Sequence, residues 1–326
     1  MTSIRSLAGA CLAAVASLSA MAAPASAQNY PTRSITMIVP FAAGGPTDVI
    51  SRIVTGHMAQ TLGQSIIIEN VVGAGGTTAT TRAARAANDG YTLVTGHMGT
   101  HAASVPLYPK LAYHPEKDFE PVALLAGTPI LILARKDFPP KDLKEFIAYV
   151  KANAEKVNAA HAGIGSVSHA SCELLNSILE VKPVGVPFNG TGPAMNALVA
   201  GQVDYMCDQI VNAVPQINGG TIKAYAVATP ERNPSLPDVP TSTEAGLPAF
   251  QAQAWNAIFA PKGTSPAIIA TLNAAAGKAL DDEAVRKRLL DLGSVIPAPA
   301  NRTPEALATL VKNEIAKWTP VLKPAS

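Results

Sequence analysis

Four groups of residues in this 326-residue chain have types and spacing that could do chemistry. The first is a repeated octapeptide: VPFAAGGP at Val39–Pro46 and VPFNGTGP at Val186–Pro193. Each copy ends an apolar run, passes through small residues and enters a helical pattern. A helix start presents unpaired backbone N–H groups and the positive end of the helix dipole. Glycine lets a ligand approach the backbone, and proline at the first helical position removes a donor that had no partner anyway. Each corner can therefore cradle an anion, or serve only as an ordinary strand-to-helix turn. A copy in each half of the chain points to two cradles facing one cleft, with Gly44 against the bound anion.

The second group, Gly163–His169 (GIGSVSH), brings Ser166, Ser168 and His169 to a helix start. A hydrolase would use Ser166 as nucleophile and His169 as base, but no GxSxG frame surrounds them. Capping of the helix by Ser166 or Ser168 is the plainer alternative. The third group, Gly73–Thr78 (GAGGTT), lacks the lysine of a P-loop and the last glycine of a dinucleotide fingerprint, and offers backbone donors only. The fourth is a set of single side chains. His97 and His101 flank Gly99-Thr100 and have no HExxH context, so they read as loop histidines and not as metal ligands. Asp48 falls in a first helical turn, where a carboxylate is favourable. Asp208 ends a strand and is expected to face the cleft. No metal or cofactor is called for by any of these patterns.

The elements that must position these groups alternate along the chain. Ser34–Pro40 reads as a strand, Pro46–Leu62 as a helix ended by Gly63, Ser65–Asn70 as a strand, Thr77–Ala87 as a helix and Tyr91–Gly96 as a strand. Tyr108–Phe119 is loop-like, and the apolar run Val122–Arg135 is broken at Gly127-Thr128-Pro129. A second alternation follows: helix 143–154, strand 158–162, helix 168–179, strand 182–187, helix 193–200, strand 203–207, a short helix near 214–217 and strand 222–228. After a proline-rich stretch come the apolar run 253–260 and helices 266–280, 283–292 and 304–317. This order predicts an α/β protein whose two lobes each hold a mainly parallel sheet flanked by helices. The chain crosses twice, so residues 28–126 and 255–326 form lobe I and 127–254 form lobe II.

Composition narrows the functional classes. A net charge of +2 supplies no electrostatic case for nucleic acid or a membrane surface. With 48% hydrophobic and 15% charged residues, the chain suits a packed globular protein. Met1–Ala27 has a single charge, Arg5, then an apolar stretch, then Ala25-Ser26-Ala27, the pattern of a secretory leader cleaved near Ala27. Cys11 sits too early for a lipoprotein site. No later run is long enough to span a bilayer, so the exported product is expected to be soluble. Cys172 and Cys207 could pair in an oxidising compartment or stay as buried thiols.

Taken in order, IVPFAAGGPTDVISR, ENVVGAGGTTATT, NDGYTL, GIGSVSHASCELL, VPFNGTGPAMNALVAGQVDYMCD, PDVPTSTEAGLP and IFAPKGTS resemble the periplasmic substrate-binding proteins of tripartite tricarboxylate transporters, the Bug family. The resemblance spans about residues 29–326. It implies a Venus-flytrap periplasmic binding protein that captures a di-, tri- or aromatic carboxylate and hands it to membrane permease subunits; one site per closed chain needs no second copy, so a monomer is expected. The same fold could serve a receptor for a sensor kinase, and an exported serine hydrolase stays the rival outside binding. The residues it carries over from the first lobe are Phe41, Ala43, Gly44, Gly45 and Asp48, beside which Gly76, Thr77, Thr100 and His101 are candidates from the neighbouring corners of this chain. From the second they are Gly165, Ser166, His169, Asn189, Gly190, Thr191 and Asp208. The chain departs from the family pattern at Thr77-Thr78-Ala79, at His97-Met98 and at Asn256, where the far end of the pocket is expected.

Overall fold

The computed structural model describes residues 30–322; the leader expected over Met1–Ala27 lies outside the described residues. The first alternation is β1 (Ile35–Val39), α1 (Pro46–Leu62), β2 (Ile66–Asn70), α2 (Thr77–Ala84) and β3 (Thr92–His97), with β2 and β3 parallel to β1 on its two edges. A π-helical turn, Gly99–Ala103, and the short α3 (Ser104–Leu107) lead to β4 (Phe119–Arg135). The second alternation is α4 (Leu143–Asn153), β5 (Asn158–His161), α5 (Val167–Leu179), β6 (Val184–Pro187), α6 (Thr191–Val199), β7 (Tyr205–Gln209), α7 (Ile210–Asn218) and β8 (Ile222–Val227). Within it β5 lies parallel to both β6 and β7. Then β9 (Gln253–Pro261) returns to the first half, and α8 (Pro266–Asp281), α9 (Glu283–Asp291) and α10 (Pro304–Leu322) follow.

The strands join in the order β2-β1-β3-β9-β4-β7-β5-β6, with β8 on the other edge of β4. Each half thus keeps a parallel set, β2-β1-β3 or β7-β5-β6, and the pairings made by β4 and β9 are antiparallel. The expected break at Gly127-Thr128-Pro129 is absent, because β4 is one 17-residue strand. Those residues mark a change of partner instead. Phe119–Pro129 pairs with β9, while Ile130 onward pairs with β7 and β8. Pro129 has no N–H to donate, and it stands where the ladder changes hands.

Alternation along the strands sends side chains into two apolar layers, one on each face. Ile35, Met37 and Val39 of β1 enter one layer and Ile38 the other; Leu131 and Leu133 of β4 oppose Ile130, Ile132 and Ala134 in the same way. Each fully buried aliphatic side chain of this kind stabilises the fold by roughly 1.5–3 kcal/mol. Cys172 of α5 and Cys207 of β7 are joined as a disulfide, with Cα atoms 5.3 Å apart. No helix among the described residues is long and apolar enough to cross a membrane.

Helix boundaries differ from expectation at several points, and the one at the cleft is the start of α6. α6 starts at Thr191, so Pro193 is its third residue; it still lies in the first turn, where N–H groups lack intrahelical acceptors. α2 stops at Ala84 and not Ala87, since Arg85 has already left helical geometry (φ −96°, ψ 0°).

Candidate functional site

Three helices begin at one cavity between the halves. α1 starts from Gly45 with Pro46 as its first residue, α5 from Ser166 and α6 from Gly190. The cavity, with about 290 Å³ of atom-free space, is lined by Phe41 and Gly45–Asp48 from the first corner. Ala162 and Ser166 come from the turn before α5, Val167 and Ser168 from its first turn, Thr191 from the second corner, and His97 and Gln209 from the ends of β3 and β7. None of these residues is lysine or arginine. Positive potential at the cavity therefore comes from helix ends and hydrogen-bond donors.

Each corner is held by an aspartate–asparagine brace. In the first, Asp48 Oδ2 accepts from Gly44 N–H (3.0 Å) and Arg52 Nε (2.9 Å), and Oδ1 accepts from Asn70 Nδ2 (3.0 Å). Asn70 Nδ2 also donates to the Phe41 carbonyl at 2.9 Å, which fixes the loop before α1. Burial works against the Asp48 charge, but the bonds from Arg52, Gly44 and Asn70 outweigh it and hold the carboxyl below its usual range. In the second, Asn212 Nδ2 donates to the Thr191 carbonyl (3.0 Å) and to Asp208 Oδ2 (2.6 Å). Asp208 is fully buried, and burial pushes its carboxyl up to about 7 against the bonds from Asn212, Gln209 N–H and the Thr191 hydroxyl.

His97 stacks on Phe41, with centroids 5.1 Å apart. Its Nδ1 accepts from the N–H groups of Gly99 (2.9 Å) and Thr100 (3.2 Å), so in the neutral ring the proton sits on Nε2. Burial holds the ring neutral, with its titration lowered to about 3. Gln209 is fixed through its carbonyl: Oε1 accepts from Thr128 Oγ1 (2.7 Å) and Asn256 Nδ2 (3.0 Å). Its amide N–H₂ is the free end.

The halves are shut on each other. Ala42 N–H donates to the Asn189 carbonyl at 3.0 Å, corner to corner. Tyr108 Oη lies 3.0 Å from the Ala74 carbonyl and 2.7 Å from that of Ile164, clasping the far rim. Glycines make this approach possible. A Cβ on Gly75 would fall 1.7 Å from the Ile164 carbonyl oxygen, and one on Gly99 would fall 2.6 Å from that of Gly165.

Of the residues the sequence singles out, Phe41, Gly45, Asp48, Ser166 and Thr191 line the cavity. Ala43, Gly190 and Gly44 lie at the contact between corners, where Ala43 and Gly44 are exposed and the missing Gly44 side chain points at empty space. Asn189 faces a neighbouring depression with Tyr108 and His161. Gly76, Thr77, Thr100 and His101 pack behind the Phe41–His97 wall: Gly76 is against Phe41, the Thr77 hydroxyl donates to Ala74, and His101 stacks on Phe259. Gly165 abuts the Tyr108 ring. Asp208 braces Thr191 from behind, while its neighbour Gln209 faces the cavity. Ser166 caps α5 by accepting the His169 N–H at 3.2 Å, and the His169 ring turns away to pack on His161. The geometry of a serine–histidine pair is thus not formed. Gln209 is a lining residue that the sequence reading did not name, and His97, expected only as a loop residue towards the far end of the pocket, ends β3 and lines the cavity; both follow the rule that ligands collect at the carboxyl ends of strands.

Two α/β lobes shut over such a cavity define a periplasmic binding protein. The chain belongs to the tripartite tricarboxylate transporter family receptors (TctC), whose family profile matches residues 50–326. Protein BugT of Bordetella pertussis is 34% identical over 304 residues, 93% of this chain and 92% of BugT. Among solved structures, MatC of Rhodopseudomonas palustris with bound malate shares 60% identity at a TM-score of 0.88, covering 90% of this chain and 100% of MatC. A second R. palustris protein, solved with adipate, shares 31% identity at a TM-score of 0.86 over 90% of this chain and 97% of its own.

Proposed function

We propose that this chain is an exported, monomeric receptor that closes over a small carboxylate and delivers it to the permease subunits of a tripartite transporter. The leader Met1–Ala27 would be removed, and the closing lobes would be residues 28–126 with 255–326, and 127–254. The observation that carries this is the convergence of three helix N-termini on a cavity without a lysine or arginine. Each helix end contributes about 0.3–2 kcal/mol towards holding an anion. Hydrogen bonds to an ionised group add roughly 1.5–3 kcal/mol each. A few of these suffice for micromolar binding, about −8.2 kcal/mol. The malate and adipate bound by structural neighbours support a carboxylate of similar size. Closure over the ligand supplies the shape change that a permease can read.

A thermal-shift screen of mono-, di-, tri- and aromatic carboxylates, each beside its uncharged amide, tests the proposal. Ligand at about a hundred times its dissociation constant should stabilise the protein by ~2.7 kcal/mol. A melting shift for a carboxylate and none for its amide is the expected result. A flat response from folded, ligand-free protein across the panel would overturn it.

A further inference from the structure

We propose that His97 and Gln209 form a second, uncharged recognition point in the cleft, which takes an oxygen acceptor at the far end of the ligand, as in a short dicarboxylate, and refuses a cation. This rests on the carboxylate-binding reading above, with one ligand end on the helix N-termini.

Both side chains line the cavity and are at least nine-tenths buried, with relative exposures of 1% for His97 and 3% for Gln209. Each has its accepting atom already engaged, which leaves only donors for a ligand. His97 Nδ1 is held by two backbone N–H groups, so its proton lies on Nε2, for which no protein acceptor stands within hydrogen-bond distance among the described residues. Gln209 Oε1 is held by Thr128 and Asn256, so its N–H₂ is presented. The two donors are mounted on one frame. His97 stands directly opposite Asn256 in the β3–β9 ladder, and the Asn256 side chain grips Gln209. Thr128 and Asn256 belong to β4 and β9, the paired strands that join the halves, so an oxygen bound here would be tied to both.

Two fixed donors suit a carboxylate or hydroxyl oxygen and leave an ammonium facing like polarity.

Three four-carbon probes separate the end groups: succinate, butyrate and 4-aminobutyrate. Calorimetry on the unaltered protein should show succinate binding about tenfold or more tighter than butyrate, the gain from donors meeting an ionised group, with 4-aminobutyrate weakest. Gln209→Glu keeps an acceptor for Thr128 and Asn256 but removes the donor. His97→Asn keeps an acceptor for the backbone N–H groups and, being shorter, draws its donor back from the place of Nε2–H. Each should erase the preference for succinate over butyrate, and a near-parental melting temperature of the unliganded protein shows that the chain has folded. Gln209→Glu should in addition improve 4-aminobutyrate, which a purely structural role would not do. Equal succinate and butyrate binding in the unaltered protein, or an unchanged preference in both variants, would overturn the inference and leave carboxylate binding standing. Failure of the unaltered protein to bind any carboxylate would sink both.

Discussion

The two corners share a sequence pattern and meet face to face, yet they are built on different ground. β1 is central in its half, flanked by β2 and β3 and buried for most of its length. β6 is an edge strand with three of its four residues exposed. Both corners carry an asparagine whose Nδ2 donates at once to a corner carbonyl and to a buried aspartate. The charge of that aspartate is settled in opposite ways. Arg52 reaches Asp48 from the half-exposed surface of α1, 2.9 Å from Oδ1, and the carboxyl stays ionised. Asp208 is fully buried with no cation to oppose its desolvation, and a proton does what the arginine does elsewhere. The corner motif thus needs a brace, but the chemistry of the brace follows solvent access and not the motif.

The largest test of the pairing is to keep the corners apart. A Cβ on Gly192, in the first turn of α6, would lie 3.0 Å from the Ala43 carbonyl oxygen and 3.2 Å from Gly45 N. These are backbone atoms of the opposite corner, which cannot swing aside. Gly192→Val should therefore weaken carboxylate affinity by about a hundredfold, the scale of a packed-backbone clash. The unliganded melting temperature should fall only as far as the corner contact contributes to the fold, since the helical position itself tolerates valine. Wild-type affinity in calorimetry would mean that binding does not require corner contact.

The corners themselves were legible in the sequence because their signals are local. An apolar run, glycine and proline mark a strand end and a helix start within eight residues, and Ser166 announces its cap in the same way. His97 and Gln209 were not legible as a pair. Their neighbourhood depends on β3, β9 and β7 coming together, and His97 reads as a loop histidine until Gly99 and Thr100 are seen to pin its Nδ1. Asp208 and Gln209 are adjacent on a strand, so only one faces the cleft, and register decides which. The pairing of Cys172 with Cys207 also depends on how α5 packs on β7, which no local pattern encodes. The continuous β4 was hidden for a related reason: Gly127 and Pro129 resemble a break, whereas they serve a change of partner.

Stability against pH separates the two braces by sign. Asp208 titrates near 7 in the fold and near 3.8 when free, so the folded state holds the extra proton between those values. The unaltered protein should lose stability relative to Asp208→Asn as pH rises through that window, by on the order of 4 kcal/mol. Asp48 is shifted the other way. Its contribution is complete above 3.8 and fades as pH falls towards its lower folded value, so Asp48→Asn should close the gap with the unaltered protein only in acid. The buried neutral histidines, His97 near 3 and His161 near 4, add a common loss of stability below about 6.5. Differences between each variant and the parent in urea unfolding remove that background. Parallel slopes for the two aspartates would break the distinction between a braced charge and a braced proton.

The smallest effect belongs to Gly44. Its φ of +83° disfavours any side chain, yet a Cβ there would meet nothing within 4 Å, and the residue is exposed at the rim of the contact. Gly44→Val should cost the fold about 1 kcal/mol through the left-handed backbone. Its effect on carboxylate affinity should be only about threefold or less, since the N–H that Asp48 holds is still present. Set beside Gly192→Val, this pair asks whether a corner acts through its backbone path or through the contact it makes. A large affinity loss at Gly44 with little change in melting would place the anion on the outer turn of the first corner, and the three helix starts would then be its support and not its seat.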